Sequence, residues 1–323
     1  MLNVFLTIDT EFSRARCNGD TAANIDNDIY GKTESGEYGI AYQIDVLNQH
    51  GLSGVFFVES LGACVTGLDP LRRIVELIQD NGHEVQLHLH SEWLRLIPQP
   101  LLPGGRTGQH MRDFDLDDQT RLIAKGLENL RAAGARNVCA FRAGSYGANF
   151  DTLRALARNG LRYDTSHNTC YLGAPCELRT GSLLLQPAMM EGVHEFPVSF
   201  FQDWPGHFRH VQLAACSGRE LENALIQAER RGWQSLVLVS HSFELIRRAS
   251  MHGKPAAPDR IMIRRFEHLC RFLASERRRF RTVGFCDFDP AKSPQGTASV
   301  ARPLKSNLWR TAGRVAEQLL RRL

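Results

Sequence analysis

Apolar and polar positions change along the chain between two different periods. Short runs rich in apolar and β-branched residues, typical of strands, are centred near Val4, Val55, Val85, Val138, Tyr163, Phe196, Val237 and Val283. Stretches with apolar residues at helical spacing predict helices over residues 41–49, 70–80, 117–133, 150–159 and 218–231. This exchange of strand and helix predicts parallel β/α units, and therefore an α/β fold.

The length and composition fit a single enzyme domain. With 323 residues, 43% of them hydrophobic, the chain can bury one large core, and barrels of strands and helices commonly occupy this size. We expect residues 1–290 to form that domain, because the pattern requires no second one.

The segment 82–92 holds three histidines and two glutamates and is the strongest sign of a metal site. Because apolar and polar residues alternate within it, it predicts a strand on which His88 and His90 point to one face. Imidazoles and carboxylates are ligands of a zinc-class ion, and a strand end leaves one coordination position open for water. Glu92 could fold back onto the same ion. The alternative is that both histidines are hydrogen-bonded polar residues near the surface.

Three other apolar runs end in residues that suit catalysis. The N-terminal run ends in Asp9 and Glu11, and strand ends form the active site in barrels, although most carboxylates are simply exposed. A second run breaks at Arg142, whose guanidinium can hold a carboxylate with two hydrogen bonds. A third ends at His241, which suits proton transfer near neutral pH, although a structural role is commoner for any single histidine.

These segments follow one another in an order that carries a family resemblance. They are TIDTE at residues 7–11, GHEVQLHLHSE at 82–92, FRAGSY at 141–146 and VSHSFEL at 239–245. In this order they resemble the motifs of polysaccharide deacetylases with a NodB-homology domain, carbohydrate esterase family 4. Segments 51–58 and 161–166 resemble two further strands of that family. The resemblance spans residues 1–288 and implies a distorted (β/α) barrel of the NodB-homology type.

The resemblance also implies a role for each residue. Asp9 would be the general base, with Arg142 holding it in place and ionised. Glu11 and His88 would bind the ion. The backbone N–H of Tyr146 would help to stabilise the oxyanion, and His241 would protonate the leaving amine.

Two positions depart from the family pattern. Thr10 stands where the second aspartate of an Asp-Asp pair is usual, so Glu11 would have to supply the metal-binding carboxylate. Glu92 stands at the second histidine of the usual H-x-x-x-H. Either Glu92 takes that ligand place or His90 swings in, and we expect Glu92 to contribute more. This uncertainty keeps manganese, cobalt and iron open beside zinc as the divalent metal.

The function that follows is metal-dependent hydrolysis of a C–N bond, which removes an acetyl or similar acyl group from an amino sugar. The substrate would be a polysaccharide or a nucleotide-linked or lipid-linked glycan precursor. Two alternatives remain: another amide hydrolase on the same fold, such as a deformylase or a ring-opening amidohydrolase, and a metal-free carbohydrate-binding pseudoenzyme.

Eight scattered cysteines without a C-x-x-C pair are expected to be reduced, buried thiols of a cytoplasmic protein. The first apolar run is interrupted by Asp9 and has no basic flank, so we expect no signal peptide. No run approaches the roughly 18 apolar residues of a membrane span.

The C-terminal residues form a separate compositional block. Residues 291–323 contain seven basic residues and one acidic residue, so their net charge is +6, which is larger than the +4 of the whole chain. Residues 290–303 resemble a flexible linker, and residues 308–323 predict a basic amphipathic helix. We expect residues 304–323 to contact an anionic membrane surface, which would place the protein on the inner face of the membrane. The alternatives are docking on the barrel and an ordinary solvated helix. No motif for nucleic-acid binding accompanies the charge.

Overall fold

A computed structural model gives the structure of the chain and describes residues 1–11, 21–247, 256–289 and 302–322. The strands are, in chain order, β1 (Leu2–Thr10), β2 (Lys32–Thr33), β3 (Gly36–Glu37), β4 (Val55–Glu59), β5 (Glu84–Leu89), β6 (Ala140–Ala143), β7 (Tyr163–Asp164), β8 (Ala188–Met190), β9 (Val193–Glu195), β10 (Phe200–Trp204), β11 (His207–His210), β12 (Ser235–His241), β13 (Ile246–Arg247), β14 (Ala257–Pro258), β15 (Phe280–Thr282) and β16 (Leu304–Lys305). The α-helices are α1 (Thr21–Asn24), α2 (Ile40–Gln49), α3 (Ala63–Thr66), α4 (Leu68–Asp80), α5 (Leu116–Ala132), α6 (Phe150–Arg158), α7 (Gly218–Arg230), α8 (Arg260–Ser275) and α9 (Leu308–Arg322).

A curled sheet forms the centre of the molecule. Its strand order is β12-β1-β4-β5-β6-β7-β9-β8, and β15 pairs with the start of β1. Neighbouring strands are parallel except for the β8–β9 pair. Beyond β9 the chain returns to the far edge of the sheet, where the Ser199 N–H donates to the Val237 carbonyl over 3.2 Å. The sheet therefore curls into the barrel-like α/β arrangement that the sequence predicts.

Burial explains the composition of the central strands. All nine residues of β1 are buried, as expected for a parallel strand that is covered on both faces. Helix α2 and helices α4 to α8 bury one side each; in α4 the buried residues are Leu71, Ile74, Val75 and Ile78. Asp115 directly precedes helix α5, and its side chain accepts a hydrogen bond from the Asp118 N–H and so caps the helix.

The predicted helices agree with the structure to within two residues at each end. Three strand centres are displaced: Val138 precedes β6, Phe196 follows β9 and Val283 follows β15. Helix α8 and the β10–β11 hairpin were not predicted. The hairpin strands are short, and a short apolar run fits a strand or a loop equally well. Helix α8 has apolar residues at helical spacing, so its pattern was present in the sequence and was overlooked.

The predicted C-terminal helix is present as α9 and lies against the barrel through polar contacts. Arg314 is buried and pairs with Asp203 over 2.8 Å and with Glu220 over 3.2 Å. Trp309 and Val315, which lie on the predicted apolar stripe, are 87% and 45% exposed. Of the described side chains of α9, Arg314 therefore faces the barrel, whereas Trp309 and Val315 face away from it. Residues 290–301 of the predicted linker lie outside the described ranges, and the division of the chain near residue 290 stays a prediction.

The described cysteines are free thiols. Cys139, Cys176, Cys216 and Cys270 are buried as predicted, whereas Cys64, Cys170 and Cys286 are half-buried. Cys17 belongs to residues 12–20, which are outside the described ranges. Within those ranges, the helices are too short or too polar to cross a membrane.

Candidate active site

Four strands bring the predicted site residues to one end of the sheet. Asp9 of β1 is paired in register with His241 of β12, and His88 of β5 is paired with Arg142 of β6. Because the strands are parallel, their carboxyl ends lie at the same edge. Residues that are more than 200 positions apart in the chain are thus placed side by side.

Glu11, His88 and His90 form a compact group of possible metal ligands. One donor atom from each lies within 4.8 Å of the other two. The Nε2 atom of His88 lies 2.8 Å from Oε2 of Glu11, and Nε2 of His90 contacts the same oxygen. All three side chains are at least 88% buried, with exposures of 12%, 2% and 12%. Two imidazoles and one carboxylate are a donor set that suits zinc and related divalent ions.

Each histidine is oriented by a partner on its other nitrogen. Nδ1 of His88 lies 2.8 Å from the Arg142 carbonyl, so it carries the proton and donates it, which leaves Nε2 free to bind an ion. Nδ1 of His90 lies 2.8 Å from Oε2 of Glu92. A carboxylate or carbonyl on the far nitrogen is the usual support of a metal-binding histidine.

The structure therefore brings His90, rather than Glu92, to Glu11 and His88. Glu92 lies behind His90, on the edge of the ring that faces away from Glu11. This geometry favours the reverse of the order expected from the sequence, in which Glu92 was to contribute more than His90. The order of their effects on metal content stays a prediction.

Opposite charges within this group stabilise the ionised forms of Glu11 and His90. Burial raises the pKa of Glu11, but the two histidines outweigh that effect and hold its pKa well below the ordinary value. Burial likewise lowers the pKa of His90, whereas Glu11 and Glu92 outweigh it and raise this pKa well above the ordinary value. Hydrogen-bonded ion pairs of His90 with Glu11 and Glu92 therefore hold these side chains together.

Asp9 is fixed by Arg142 at the bottom of the site. Nη1 of the fully buried Arg142 donates to Oδ1 of Asp9 over 2.5 Å and to the Thr7 hydroxyl over 2.9 Å. Its Nε donates to the Thr165 carbonyl over 3.3 Å, and the guanidinium lies 4.5 Å from the centre of the Phe57 ring. Arg142 therefore has little freedom to move, and Oδ1 of Asp9 is tied while Oδ2 faces His241.

The turn after Arg142 is strained and tightly packed against His90. Ser145 and Tyr146 have positive φ angles of 54° and 59°, which non-glycine residues rarely adopt. At Gly144 a Cβ atom would lie 2.7 Å from the His90 ring, so only glycine fits there. The hydroxyl of Tyr146 is buried and has no hydrogen-bond partner among the described atoms. Burial and the charge of Asp9 raise the pKa of Tyr146 well above its ordinary value, so this hydroxyl keeps its proton.

His241 faces the two carboxylates from the opposite strand. Its Nε2 lies 3.8 Å from Oδ2 of Asp9 and 3.9 Å from Oε1 of Glu11, while Nδ1 lies 2.9 Å from Oε1 of Glu244. Burial lowers the pKa of His241, but Glu244 and the two site carboxylates outweigh it and raise the pKa to about 9. The imidazole is therefore charged at neutral pH.

Three supporting residues were missed by the sequence analysis. Glu59, the last residue of β4, accepts the His90 N–H over 2.5 Å and the Leu61 N–H over 2.7 Å. Glu244 and Gln212 both contact Nδ1 of His241, and Gln212 also donates to Glu244. Glu59 had a signal in the sequence, because it is a carboxylate at the end of an apolar run. Gln212 lies in a loop and had none.

Comparisons with known proteins place this fold. A solved structure from Mycobacterium smegmatis, described as a candidate polysaccharide deacetylase, superposes with a TM-score of 0.54 over 88% of this chain and 87% of its own, at 17% identity. A family 4 carbohydrate esterase from Streptomyces lividans, in complex with acetate, gives a TM-score of 0.44 at 14% identity over 90% and 95% of the two chains. A peptidoglycan N-acetylglucosamine deacetylase gives 0.44 at 16% identity over 87% and 86%. No family model and no curated protein matches the chain.

The predicted α/β barrel is therefore confirmed: the chain has a curled, mostly parallel sheet similar to that of the Mycobacterium smegmatis protein described as a candidate polysaccharide deacetylase. At 17% identity the likeness establishes the fold alone. The chemistry rests on the residues at the carboxyl ends of the strands.

Proposed function

We propose that this protein is a metal-dependent hydrolase that removes an acetyl or similar acyl group from an amino sugar. The observation that carries the proposal is the meeting of an Arg-held aspartate, a Glu-His-His group and a carboxylate-held histidine at one sheet edge. These are the parts needed to activate a water, polarise an amide and protonate an amine. The likeness in fold to a candidate polysaccharide deacetylase supports a glycan as the substrate class.

Glu11, His88 and His90 would hold the metal, with Glu92 orienting His90. The donor set fits a divalent ion, because both Nε2 atoms and the carboxylate already converge and both Nδ1 atoms are engaged elsewhere. Zinc suits it best, and manganese, cobalt and iron stay open. When bound, such an ion would polarise the amide carbonyl and lower the pKa of a coordinated water.

The protein's own groups would move the protons. Asp9 would accept a proton from the attacking water through Oδ2, because Oδ1 is held by Arg142. His241 would donate the proton of Nε2 to the nitrogen as the C–N bond breaks. Tyr146, by its backbone N–H as the family resemblance implies, would stabilise the oxyanion. The products are a carboxylic acid and a free amino sugar.

The substrate proposal is an amino-sugar glycan or a nucleotide-linked or lipid-linked precursor. The test is release of acetate from N-acetylglucosamine oligomers, from a nucleotide-linked N-acetylamino sugar and from a lipid-linked one, with formylated sugars and cyclic amides in the same panel. We expect acetate from at least one N-acetyl sugar. Release only of formate, or opening only of a cyclic amide, would favour another amide hydrolase. Saturable sugar binding without turnover at any metal concentration would favour a binding protein.

A second part of the proposal concerns the location of the protein at the inner face of an anionic membrane. Trp309 and Val315 point outward from the docked helix α9, and the C-terminal residues 291–323 carry a net charge of +6. An exposed tryptophan beside basic residues suits the interface of anionic lipids. A cytoplasmic location without nucleic-acid binding remains part of this prediction.

Vesicle sedimentation tests the membrane proposal with the full-length protein. We expect binding to vesicles containing phosphatidylserine at low salt, weakening as salt rises, and none to neutral vesicles. Trp309→Ser with Val315→Ser should abolish binding without loss of stability, because both side chains are exposed. Absence of binding at low salt would contradict the proposal.

A further inference from the structure

The amino-terminal end of the barrel is closed by the segment 283–288, which follows β15. Phe285 of this segment is fully buried, and its ring centre lies 4.6 Å from that of Phe5 and 5.3 Å from that of Phe196. Glu84, the first residue of β5, accepts the Phe285 N–H over 2.9 Å and the Cys286 N–H over 3.1 Å. The segment is thus fixed to the first residue of a central strand, at the end of the sheet opposite the candidate active site.

Two cysteines meet beside this carboxylate. Cys139 lies just before β6 and is buried, whereas Cys286 lies in the closing segment and is half-buried. Their Sγ atoms are 3.3 Å apart, although the residues are 147 positions apart in the chain. The Cys286 thiol also lies 2.8 Å from the Asn137 carbonyl.

Glu84, Cys139 and Cys286 could in principle hold a metal, because their donor atoms lie within 4.8 Å of one another. The surrounding hydrogen bonds argue against it. Nε2 of Gln86 lies 2.6 Å from Oε1 of Glu84, 3.4 Å from Sγ of Cys286 and 3.7 Å from Sγ of Cys139. An amide nitrogen therefore sits among the three donors, where an ion would have to lie.

The orientation of that amide is fixed by the backbone. Oε1 of Gln86 accepts the Cys139 N–H over 2.8 Å and the Ala140 N–H over 2.6 Å, so the NH2 group must face the sulfurs and Glu84. Both oxygens of Glu84 already accept backbone N–H groups. What remains is a pair of thiols in contact, with the Gln86 NH2 group as a donor beside both sulfurs and the Asn137 carbonyl as an acceptor beside Cys286.

We propose that Cys139 and Cys286 are a redox-active thiol pair, which a small-molecule disulfide such as oxidised glutathione converts into an intramolecular disulfide. Cys286, the more exposed of the two, would pass its proton across the 3.3 Å contact to the Cys139 thiolate, attack the reagent, form a mixed disulfide and release one reduced thiol. Cys139, as thiolate, would then attack Sγ of Cys286 and release the second. Two protein thiols are oxidised, one reagent disulfide is reduced to two thiols, and the two protein protons pass to the released thiolates. The new bond would tie the closing segment to the residue that precedes β6.

Among the described cysteines, Cys139 and Cys286 are the pair whose sulfur atoms are in contact. Cys176 and Cys216 lie near the backbone carbonyls of Ser166 and His210, over 3.8 Å and 3.3 Å. Cys270 is buried within α8. Contact with Cys286 lowers the pKa of Cys139, whereas the same contact, burial and the charge of Glu84 raise the pKa of Cys286. Burial also raises the pKa of Cys170, Cys216 and Cys270. Cys139 is thus the more readily ionised thiol and suits the resolving step.

The experiment is oxidation of the native full-length protein with oxidised glutathione, followed by acid quench, alkylation and peptide mapping by mass spectrometry. We expect one linked peptide that joins Cys139 to Cys286, a loss of two hydrogens from the intact mass and reversal by dithiothreitol. Cys139→Ser should instead keep glutathione on Cys286. Cys270→Ser is the matched control and should still form the link.

Two results would overturn the proposal. One is a stable glutathione adduct on Cys286 in the wild-type protein without a link to Cys139, which would mean that the pair cannot close. The other is a second equivalent of zinc, retained by the wild-type protein and lost equally in Cys139→Ser and Cys286→Ser, which would make the cluster a metal site. The wild-type peptide map decides the first point even if a serine variant fails to fold.

Discussion

The two ends of the central sheet differ in what they bury. On one face of β1, Phe5 packs among aromatic rings near the amino end, whereas Asp9, four residues later, meets Arg142 and His241 near the carboxyl end. Burying rings stabilises a fold, while burying charges is favourable only when each charge has a partner. Along this face of β1, the amino end therefore serves stability, and the charged groups are concentrated at the carboxyl end, where the proposed hydrolysis would occur.

The largest effect of a substitution on stability is expected at the amino end of the sheet. Phe285→Ala should lower the free energy of unfolding by about 3–5 kcal/mol, because it leaves a cavity among fully buried rings. Denaturant unfolding measures this change. Turnover per folded molecule should stay near that of the wild-type protein.

Trp204→Ala is the matched control, since this side chain is 58% exposed, and it should change stability by about 0.5 kcal/mol or less. A Phe285→Ala protein that keeps its stability and loses its activity would reverse the assignment of the two ends.

The next largest effect concerns Asp9 at the carboxyl end. Asp9→Asn should lower turnover on the order of 100-fold or more, because it removes the general base, while the bound metal stays. Steady-state kinetics and metal analysis of the same sample measure both quantities. Asp45→Asn on the exposed side of α2 is the control. Near-normal turnover in Asp9→Asn would show that another group is the base.

Within the carboxyl end, variants of the ligand residues should lose more metal affinity than a variant of the residue that supports a ligand. His88→Ala and His90→Ala each remove a donor of the group and should abolish stoichiometric binding. Glu92→Ala removes only the partner of Nδ1 of His90, so we expect affinity to fall on the order of 10- to 100-fold. Competition with a chelating dye measures the affinities. A larger loss from Glu92→Ala than from His90→Ala would restore the order expected from the sequence.

The smallest effect concerns the pH dependence of stability. Burial raises the pKa of Glu195 well above its ordinary value, and the adjacent buried Asp164 raises it further. An unfolded glutamate releases its proton above about pH 4.3, whereas the folded protein keeps it, so stability should fall as pH rises from there towards the folded pKa. Glu195→Gln removes this loss and should stabilise the protein near neutral pH.

Unfolding at pH 4 and pH 7 in the two proteins measures the difference. Glu76→Gln on the exposed side of α4 is the control and should leave the change of the unfolding free energy with pH as it is in the wild-type protein. If Glu195→Gln and the wild-type protein show the same change of unfolding free energy with pH, Glu195 is ionised in the folded state.

The fold and the predicted members of the candidate site could be read from the sequence, because both follow from local patterns of apolar and polar residues. Asp9, Arg142 and His241 each end an apolar run, and parallel strands place such ends together. The sequence could not predict whether His90 or Glu92 turns towards His88, because that choice depends on contact with Glu11, about 80 positions away in the chain.

The C-terminal helix shows the same limit. Its helical period was evident in the sequence, but the face that meets the barrel depends on Asp203 and Glu220, which lie about 100 positions earlier. An apolar stripe is usually expected to face the core. Here Arg314, with two carboxylate partners, faces the barrel, while Trp309 and Val315 of the predicted stripe are exposed.

The central claim is that the carboxyl end of the sheet forms a metal-dependent amide hydrolase. Its most direct test is acetate release from an N-acetylated amino-sugar substrate by one sample of protein, stripped with a chelator and then titrated with zinc. We predict no release from the stripped protein and a rise that levels off near one zinc per chain. Release that is unchanged by stripping, or its absence at every zinc concentration and with every substrate of the panel, would contradict the account.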